Sequence, residues 1–202
     1  MLLKNSVILV SLFVALPAWS LVEVKMTYTS LNNKSPKEKV YTGSGAPPSV
    51  QPMSGIGGDL IFTLPIVGLG IGMRYENLGF KYGDDIVFDG AATRTAAILG
   101  WRWVDTLVYF GPIFSYGFSH SGGQIKATEG ATIISDLTAD KQSSYSAGLE
   151  LGGKFLGFRV GAEAGYLNYE WKNLTGTSGS ITSVGKLDMS GPYVKLAIGF
   201  EI

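Results

Sequence analysis

The single histidine of this 202-residue chain, His120, lies between Ser119 and Ser121. A serine hydrolase needs a serine oxygen that reaches an imidazole and a carboxylate that orients the ring. On a strand, sequence neighbours point to opposite faces, so neither serine is well placed to serve His120, and no motif supplies the acid. Asp84, Asp85 and Asp89 could hold a divalent cation through oxygen ligands, but their spacing matches no defined metal loop. We therefore expect no catalytic residue, metal site or cofactor. Two polar stretches, one with Lys34, Lys37 and Lys39 among Pro36, Pro47, Pro48 and Pro52, the other with Lys126, Glu129, Asp136, Asp140 and Lys141, read first as solvated loops.

The larger chemical set is a group of charges: Glu23, Lys25, Asp59, Arg74, Glu76, Arg94, Arg102, Glu150, Lys154, Arg159, Glu163, Lys195 and Glu201. Their positions follow from the elements that carry them. Apolar residues recur with a period of two, the mark of a strand between two environments, over eight segments: Val22 to Thr29, Ile56 to Leu64, Val67 to Glu76, Ala92 to Trp103, Leu107 to Phe118, Ser144 to Phe155, Phe158 to about Trp171, and Val194 to Ile202. In the third, Val67, Leu69, Ile71, Met73 and Tyr75 take one face, while Gly68, Gly70, Gly72, Arg74 and Glu76 take the other. Every charge of the set falls on the face opposite the apolar one. Pro112 predicts a break in the fifth ladder. The change of apolar parity at Leu167, Tyr169 and Trp171 predicts a bulge after Tyr166.

Tight turns around Pro65, Val104 to Thr106 and Leu156-Gly157 alternate with long polar connections at Leu31 to Gly55, Lys81 to Ala91, Ser119 to Ser143 and Lys172 to Asp188. Short turns on one rim and long loops on the other predict an all-β fold, a closed eight-stranded antiparallel up-and-down transmembrane β-barrel. A soluble barrel would give the same alternation turned inside out. Two features favour the membrane. Glycines 68, 70, 72, 111, 117, 148, 152, 161, 165 and 199 crowd the charged face, which suits a narrow interior better than a solvated one. Aromatics gather at strand ends, with Trp101, Trp103, Phe155 and Phe158 near the tight turns and Tyr28, Tyr75, Tyr116, Tyr145, Tyr169 and Trp171 toward the long loops, as two interfacial girdles. A helical reading of Leu60 to Met73 fails on Pro65, at ~3 kcal/mol, and on three glycines at ~1 kcal/mol each.

Residues 1–20 read as a cleaved signal peptide, with Lys4 in the basic start, Val7 to Leu16 as the apolar core and Ala18-Trp19-Ser20 as the cleavage site. Residues 21–202 then form one barrel domain. There is no cysteine, hence no disulfide frame. Lys plus Arg equals Asp plus Glu at 16 each, which argues against a nucleic-acid partner. Six acids and seven bases inside so narrow a barrel must pair, and eight strands leave no room for a general water-filled pore.

The last strand, Val194 to Ile202, resembles the C-terminal assembly signal of bacterial outer-membrane barrels at Lys195, Ala197, Phe200 and Ile202, with Ala197 in place of the usual Gly and Ile202 in place of the usual Phe. The whole pattern is similar to the small eight-stranded outer-membrane proteins, the OmpA transmembrane domain, OmpX and OmpW. That resemblance implies an integral place in the outer membrane of a Gram-negative bacterium, among its lipids, and insertion by the outer-membrane assembly machinery after periplasmic chaperoning; contact of the loop lysines with lipopolysaccharide phosphates is an expectation from their position and charge. OmpX-like and OmpA-like relatives imply a structural or surface-interaction role through the long loops. OmpW-like ones imply passage of small hydrophobic molecules, which a dry upper cavity lined by Leu, Phe and Tyr would favour. A lipid-modifying barrel hydrolase is the third alternative. The extracellular partner is not specified.

Overall fold

The computed structural model describes residues 21–33, 52–64, 67–82, 86–179 and 183–201; the predicted signal segment, Asp84 and Asp85, and the first loop with Lys34, Lys37 and Lys39 lie outside them. Ten strands follow in order: β1 (Leu21–Leu31), β2 (Met53–Leu64), β3 (Leu69–Tyr82), β4 (Ile86–Trp101), β5 (Val104–Asp105), β6 (Val108–Glu129), β7 (Thr132–Phe155), β8 (Phe158–Gly179), β9 (Ser183–Asp188) and β10 (Gly191–Glu201). Eight of them close an antiparallel ring in the order β10-β1-β2-β3-β4-β6-β7-β8, and β8 pairs back onto β10. The two-residue β5 pairs β6 in a turn, and β9 lies against the upper part of β8.

The alternation sorts side chains between lumen and outer wall. Met26, Ile56, Ile71, Tyr116, Leu151, Val160 and Leu196 are exposed, whereas Lys25, Arg74, Glu163 and Lys195 are buried. The outward apolar belt begins at the tight turns and ends at a row that includes Tyr28, Tyr75, Tyr116, Tyr145 and Tyr166. On β8 it runs from Phe158 to Tyr166. At about 3.3 Å per residue and a tilt of about 40°, such a run rises ~20 Å, most of the ~25 Å apolar band of an outer-membrane barrel.

Above that row the polarity of the wall reverses. β6, β7 and β8 hold 22, 24 and 22 residues, about twice the 9 to 11 or so that a membrane-crossing strand needs. Their upper halves turn apolar side chains inward, where Leu31, Met53, Leu78, Phe80, Phe88, Ile125, Leu137, Leu167, Tyr169, Trp171, Leu174 and Leu187 belong to one buried cluster. Outward they show Lys126, Lys172 and Lys186. The lower barrel keeps charge inside and apolar groups outside; the upper barrel does the opposite.

This reversal corrects several expectations. Much of the predicted loops Lys81–Ala91, Ser119–Ser143 and Lys172–Asp188 is strand, and the β6–β7 hairpin turns only at Gly130-Ala131. There is no bulge after Tyr166: β8 stays in register with β7 from Phe158 to Lys172, and Leu167, Tyr169 and Trp171 point inward because the interior itself becomes apolar there. Tyr169 and Trp171 therefore leave the outer girdle. Pro112 does not break β6, which pairs it with Leu149 in register. Arg102 and Trp103 fall just beyond β4, with the Arg102 amide donating to the Gly68 carbonyl at 2.7 Å.

Ile71 is the middle outward position between Val67 and Tyr75. Ile71→Arg is expected to cost about 2–4 kcal/mol in urea unfolding from lipid vesicles, whereas Lys126→Ala, above the belt, is expected to change stability by less than about 0.5 kcal/mol.

Candidate functional site

The lumen charges assemble because cross-strand partners on the inward face stand opposite one another. Lys25 is opposite Asp59, Asp59 opposite Arg74, Glu76 opposite Arg94, and Glu163 opposite Lys195. They form two tiers. In the upper tier Arg74 grips Asp59 with Nε to Oδ1 and Nη2 to Oδ2, both 2.8 Å, and Glu163 with Nη1 to Oε1 at 3.0 Å and Nη2 to Oε2 at 2.7 Å. The Tyr193 hydroxyl also donates to Glu163. Glu76 receives Lys195 at 2.6 Å, Arg94 at 3.2 Å and the Thr29 hydroxyl at 2.9 Å. Arg94 then donates to Ser115, which is paired with Ser146 at 2.6 Å.

In the lower tier Arg102 bridges Glu23, with Nη2 2.8 Å from Oε2, and Glu150, with Nε 2.8 Å from Oε1. Lys25 lies 3.3 Å from Glu23 and 3.4 Å from Glu150. Arg159 joins Glu23 at 3.3 Å to Glu201, where its Nε is 2.6 Å from Oε2. Lys154 completes the mouth, 3.6 Å from Glu201. Between the tiers along β2, Ile61 packs with Ile98 and Ile113 into a small apolar layer.

All thirteen charges singled out in the sequence thus lie in the interior, divided between these two tiers. Two members were missed. Asp105, in the turn, takes Lys154 at 2.5 Å; it supplies the acid whose absence left seven bases against six acids. Tyr109 is 1% exposed, and its ring receives Arg102 at 4.7 Å, Arg159 at 5.2 Å and Lys25 at 5.5 Å. A cation over a ring face is attracted by its quadrupole. The signal for Tyr109 was the glycines facing it: a Cβ at Gly152 or Gly161 would come within 2.3 or 2.2 Å of its ring or hydroxyl. Those glycines leave the space that the tyrosine fills.

The ladder between β6 and β7 is interrupted above the belt. Pairing ends at Tyr116–Tyr145 and resumes at Gln124–Thr138, so Gly117 to Gly123 and Ala139 to Ser144 face each other without register. Side chains close this seam: His120 Nε2 is 2.8 Å from Ser144 Oγ, and Gln142 packs against Gly123, held from the neighbouring β8 by Tyr169, which donates to Gln142 Oε1 at 2.7 Å. The bonded serine is thus Ser144, 2% exposed, rather than Ser119 or Ser121. Bulges on the β4 side, between Ala91 and Thr93 and between Thr95 and Ala96, turn His120 to the face of Arg94. Asp89, from the predicted cation set, is on the exposed side of β4. Outside the belt, Glu170 pairs with Lys186 at 2.5 Å and Lys172 at 3.2 Å, and their hydrogen bonds hold its carboxyl below the usual range.

Of the predicted assembly signal, Lys195 points inward to Glu76, Ala197 shares that face, and Phe200 points outward with its ring 4.6 Å from that of Phe158. Ile202 lies outside the described residues.

No protein-family model and no curated protein matches the sequence. Among solved structures, the chain is similar to the outer membrane protein OprG from Pseudomonas aeruginosa, at 13% identity and a TM-score of 0.48, over 91% of this chain and 96% of that one. It is also similar to Neisserial surface protein A (NspA), at 12% identity and a TM-score of 0.37, over the same shares. The closed ladder and the outward apolar belt described above give the chain the architecture of a small eight-stranded antiparallel up-and-down barrel.

Removing one partner from a buried ion pair leaves the others uncompensated, at about 3–5 kcal/mol. Arg74→Leu is expected to destabilise the barrel by that amount in urea titration, and the triple variant Asp59→Leu, Arg74→Leu, Glu163→Leu is expected to recover more than half of it.

Proposed function

We propose that this chain is an integral outer-membrane barrel of a Gram-negative bacterium with a structural or surface-interaction role, presented by the strand extension that rises above its membrane belt. The observation that carries this reading is the reversal of wall polarity at the tyrosine row: the belt suits hydrocarbon, and the lysine- and serine-bearing wall above it suits water. The extension is sheet rather than loose loop, so it offers a surface whose ordering cost has been met in folding. Outer-membrane lipids and lipopolysaccharide are its constant neighbours in this reading, with the assembly machinery and periplasmic chaperones its partners during biogenesis. The extracellular ligand has no chemical signature in the described residues.

The paired lumen supports a closed axis. Planar-bilayer recording of the refolded protein is expected to show no stable conductance at neutral pH. Steady channel openings would overturn the closed-axis reading.

A second reading, binding or passage of small hydrophobic molecules, is favoured by the apolar upper interior beside the β6–β7 seam. In a Trp101→Phe, Trp103→Phe variant of the mature chain, Trp171 is the remaining indole. If a brominated fatty acid enters the interior, it quenches that fluorescence saturably; strictly linear quenching would remove this reading. For the hydrolase alternative, Ser144 is buried and its histidine has no carboxylate partner among the described residues. Lipid A is expected to stay unchanged in mass when the protein is expressed.

A further inference from the structure

The rim of tight turns is apolar at its very tips. Leu156 is 84% exposed, Leu107 77% and Phe155 73%, and Trp103, Val67 and Val104 are exposed beside them. The turns are adjacent through the β6–β7 pair, where the Lys154 amide donates to the Leu107 carbonyl at 2.8 Å. The charged groups at this end, Asp105, Lys154 and Glu201, bond to one another or to Arg159 across the mouth rather than pointing outward. A rim standing in water would show the opposite sorting.

The β7–β8 turn adds a second, independent observation. Leu156 has φ 48° and Gly157 has φ 83°. Two positive φ values are the requirement of a hairpin turn that favours Asn-Gly or Asp-Gly, and a leucine there is strained. In water, neither the backbone nor hydration favours leucine at a turn tip; immersion in hydrocarbon does.

We propose that the tight-turn rim is immersed in the lipid of the inner leaflet, with Leu107 and Leu156 as its anchors, rather than standing in the periplasm. The argument for lipid as the occupant is continuity: the tips extend the outward belt through Trp101, Trp103, Phe155 and Phe158 without an intervening exposed charge among the described residues. The barrel then sits low in the bilayer, and its length beyond the belt lies on the outer side. This inference rests on the membrane-barrel reading above.

The absence of cysteine makes single labels clean. Leu107→Cys, Leu156→Cys, Val160→Cys in the belt and Ala131→Cys in the upper hairpin would each carry a nitroxide in the full mature chain, refolded into phosphatidylcholine vesicles. Accessibility to oxygen, which partitions into lipid, is compared with accessibility to a water-soluble nickel chelate. Labels at 107 and 156 are expected to behave like the one at 160, with nickel accessibility at least about fivefold below that at 131. Labels at 107 and 156 matching 131, while 160 remains in lipid, would overturn the immersion and leave the barrel reading intact. All four labels in water would overturn both. Labels at 107 and 156 shielded from both reagents would point to a protein partner or second copy on the rim and would also overturn the proposal. Because cysteine replaces the strained leucine itself, Leu156→Asn with the label at 107 provides a second reading: nickel accessibility at 107 is expected to rise at least twofold, and no change would overturn Leu156 as an anchor.

Discussion

Arg74 holds two carboxylates from two other strands at once, and every hydrogen bond it makes crosses the lumen or the sheet beside it. A planar guanidinium can satisfy two carboxylates bidentately, which an ammonium cannot. Closing a sheet of eight strands forces one face onto itself, and the charged residues of this chain alternate onto that face. Lone charges there would be prohibitively expensive, so the interior is viable only as a balanced set. Asp105 balances seven bases with seven acids, and Tyr109 places an aromatic face among three cations. The glycines at 152 and 161 then follow from the tyrosine rather than from any need for flexibility.

The same alternation serves two solvents in succession. Below the tyrosine row the outer wall meets hydrocarbon and the interior takes the charge. Above it the outer wall meets water, and the interior is free to be a conventional apolar core, with Trp171, Tyr169 and Leu167 on the inward face that lower on β8 carries Arg159 and Glu163. Nothing in the backbone changes at that level on β8, whose register with β7 is continuous through it. The environment reverses while the strand does not.

That distinction explains what could be read from the sequence and what could not. The facing of Lys25, Arg74, Glu163 and Lys195 was legible because parity needs only the neighbouring residues, and the closed antiparallel ring followed from the spacing of the tight turns. The apolar run Leu167, Tyr169, Trp171 is misleading because parity alone gives apolar residues to one solvent side, so a change of solvent looks like a slip of phase. The upper strands resemble loops for the same reason: Ile125 and Ala127 alternate with Lys126 and Thr128, but in the sense of a soluble sheet, and the glycines and serines around His120 hide even that. Asp105 was out of reach of strand parity because it sits in a turn, and the bond from His120 to Ser144 depends on bulges whose effect on facing is set by pairing with β4.

The seam at His120 has a physical consequence for the interior above the plug. Movement along the axis would have to separate Arg74 from both of its carboxylates and pass the lower tier, breaking charge-assisted bonds in a medium where unpaired charge is costly. Movement through the wall elsewhere would break a row of backbone hydrogen bonds. Between Gly117 to Gly123 and Ala139 to Ser144 there is no such row, and the closure depends on the His120–Ser144 contact and on Gln142 packed against Gly123. The former is a neutral hydrogen bond, of net worth about 1 kcal/mol. The seam is therefore the weakest boundary of the upper barrel on the β6–β7 side, and it opens between the apolar cluster, through Tyr169 beside His120, and the Arg94 end of the salt-bridged tier.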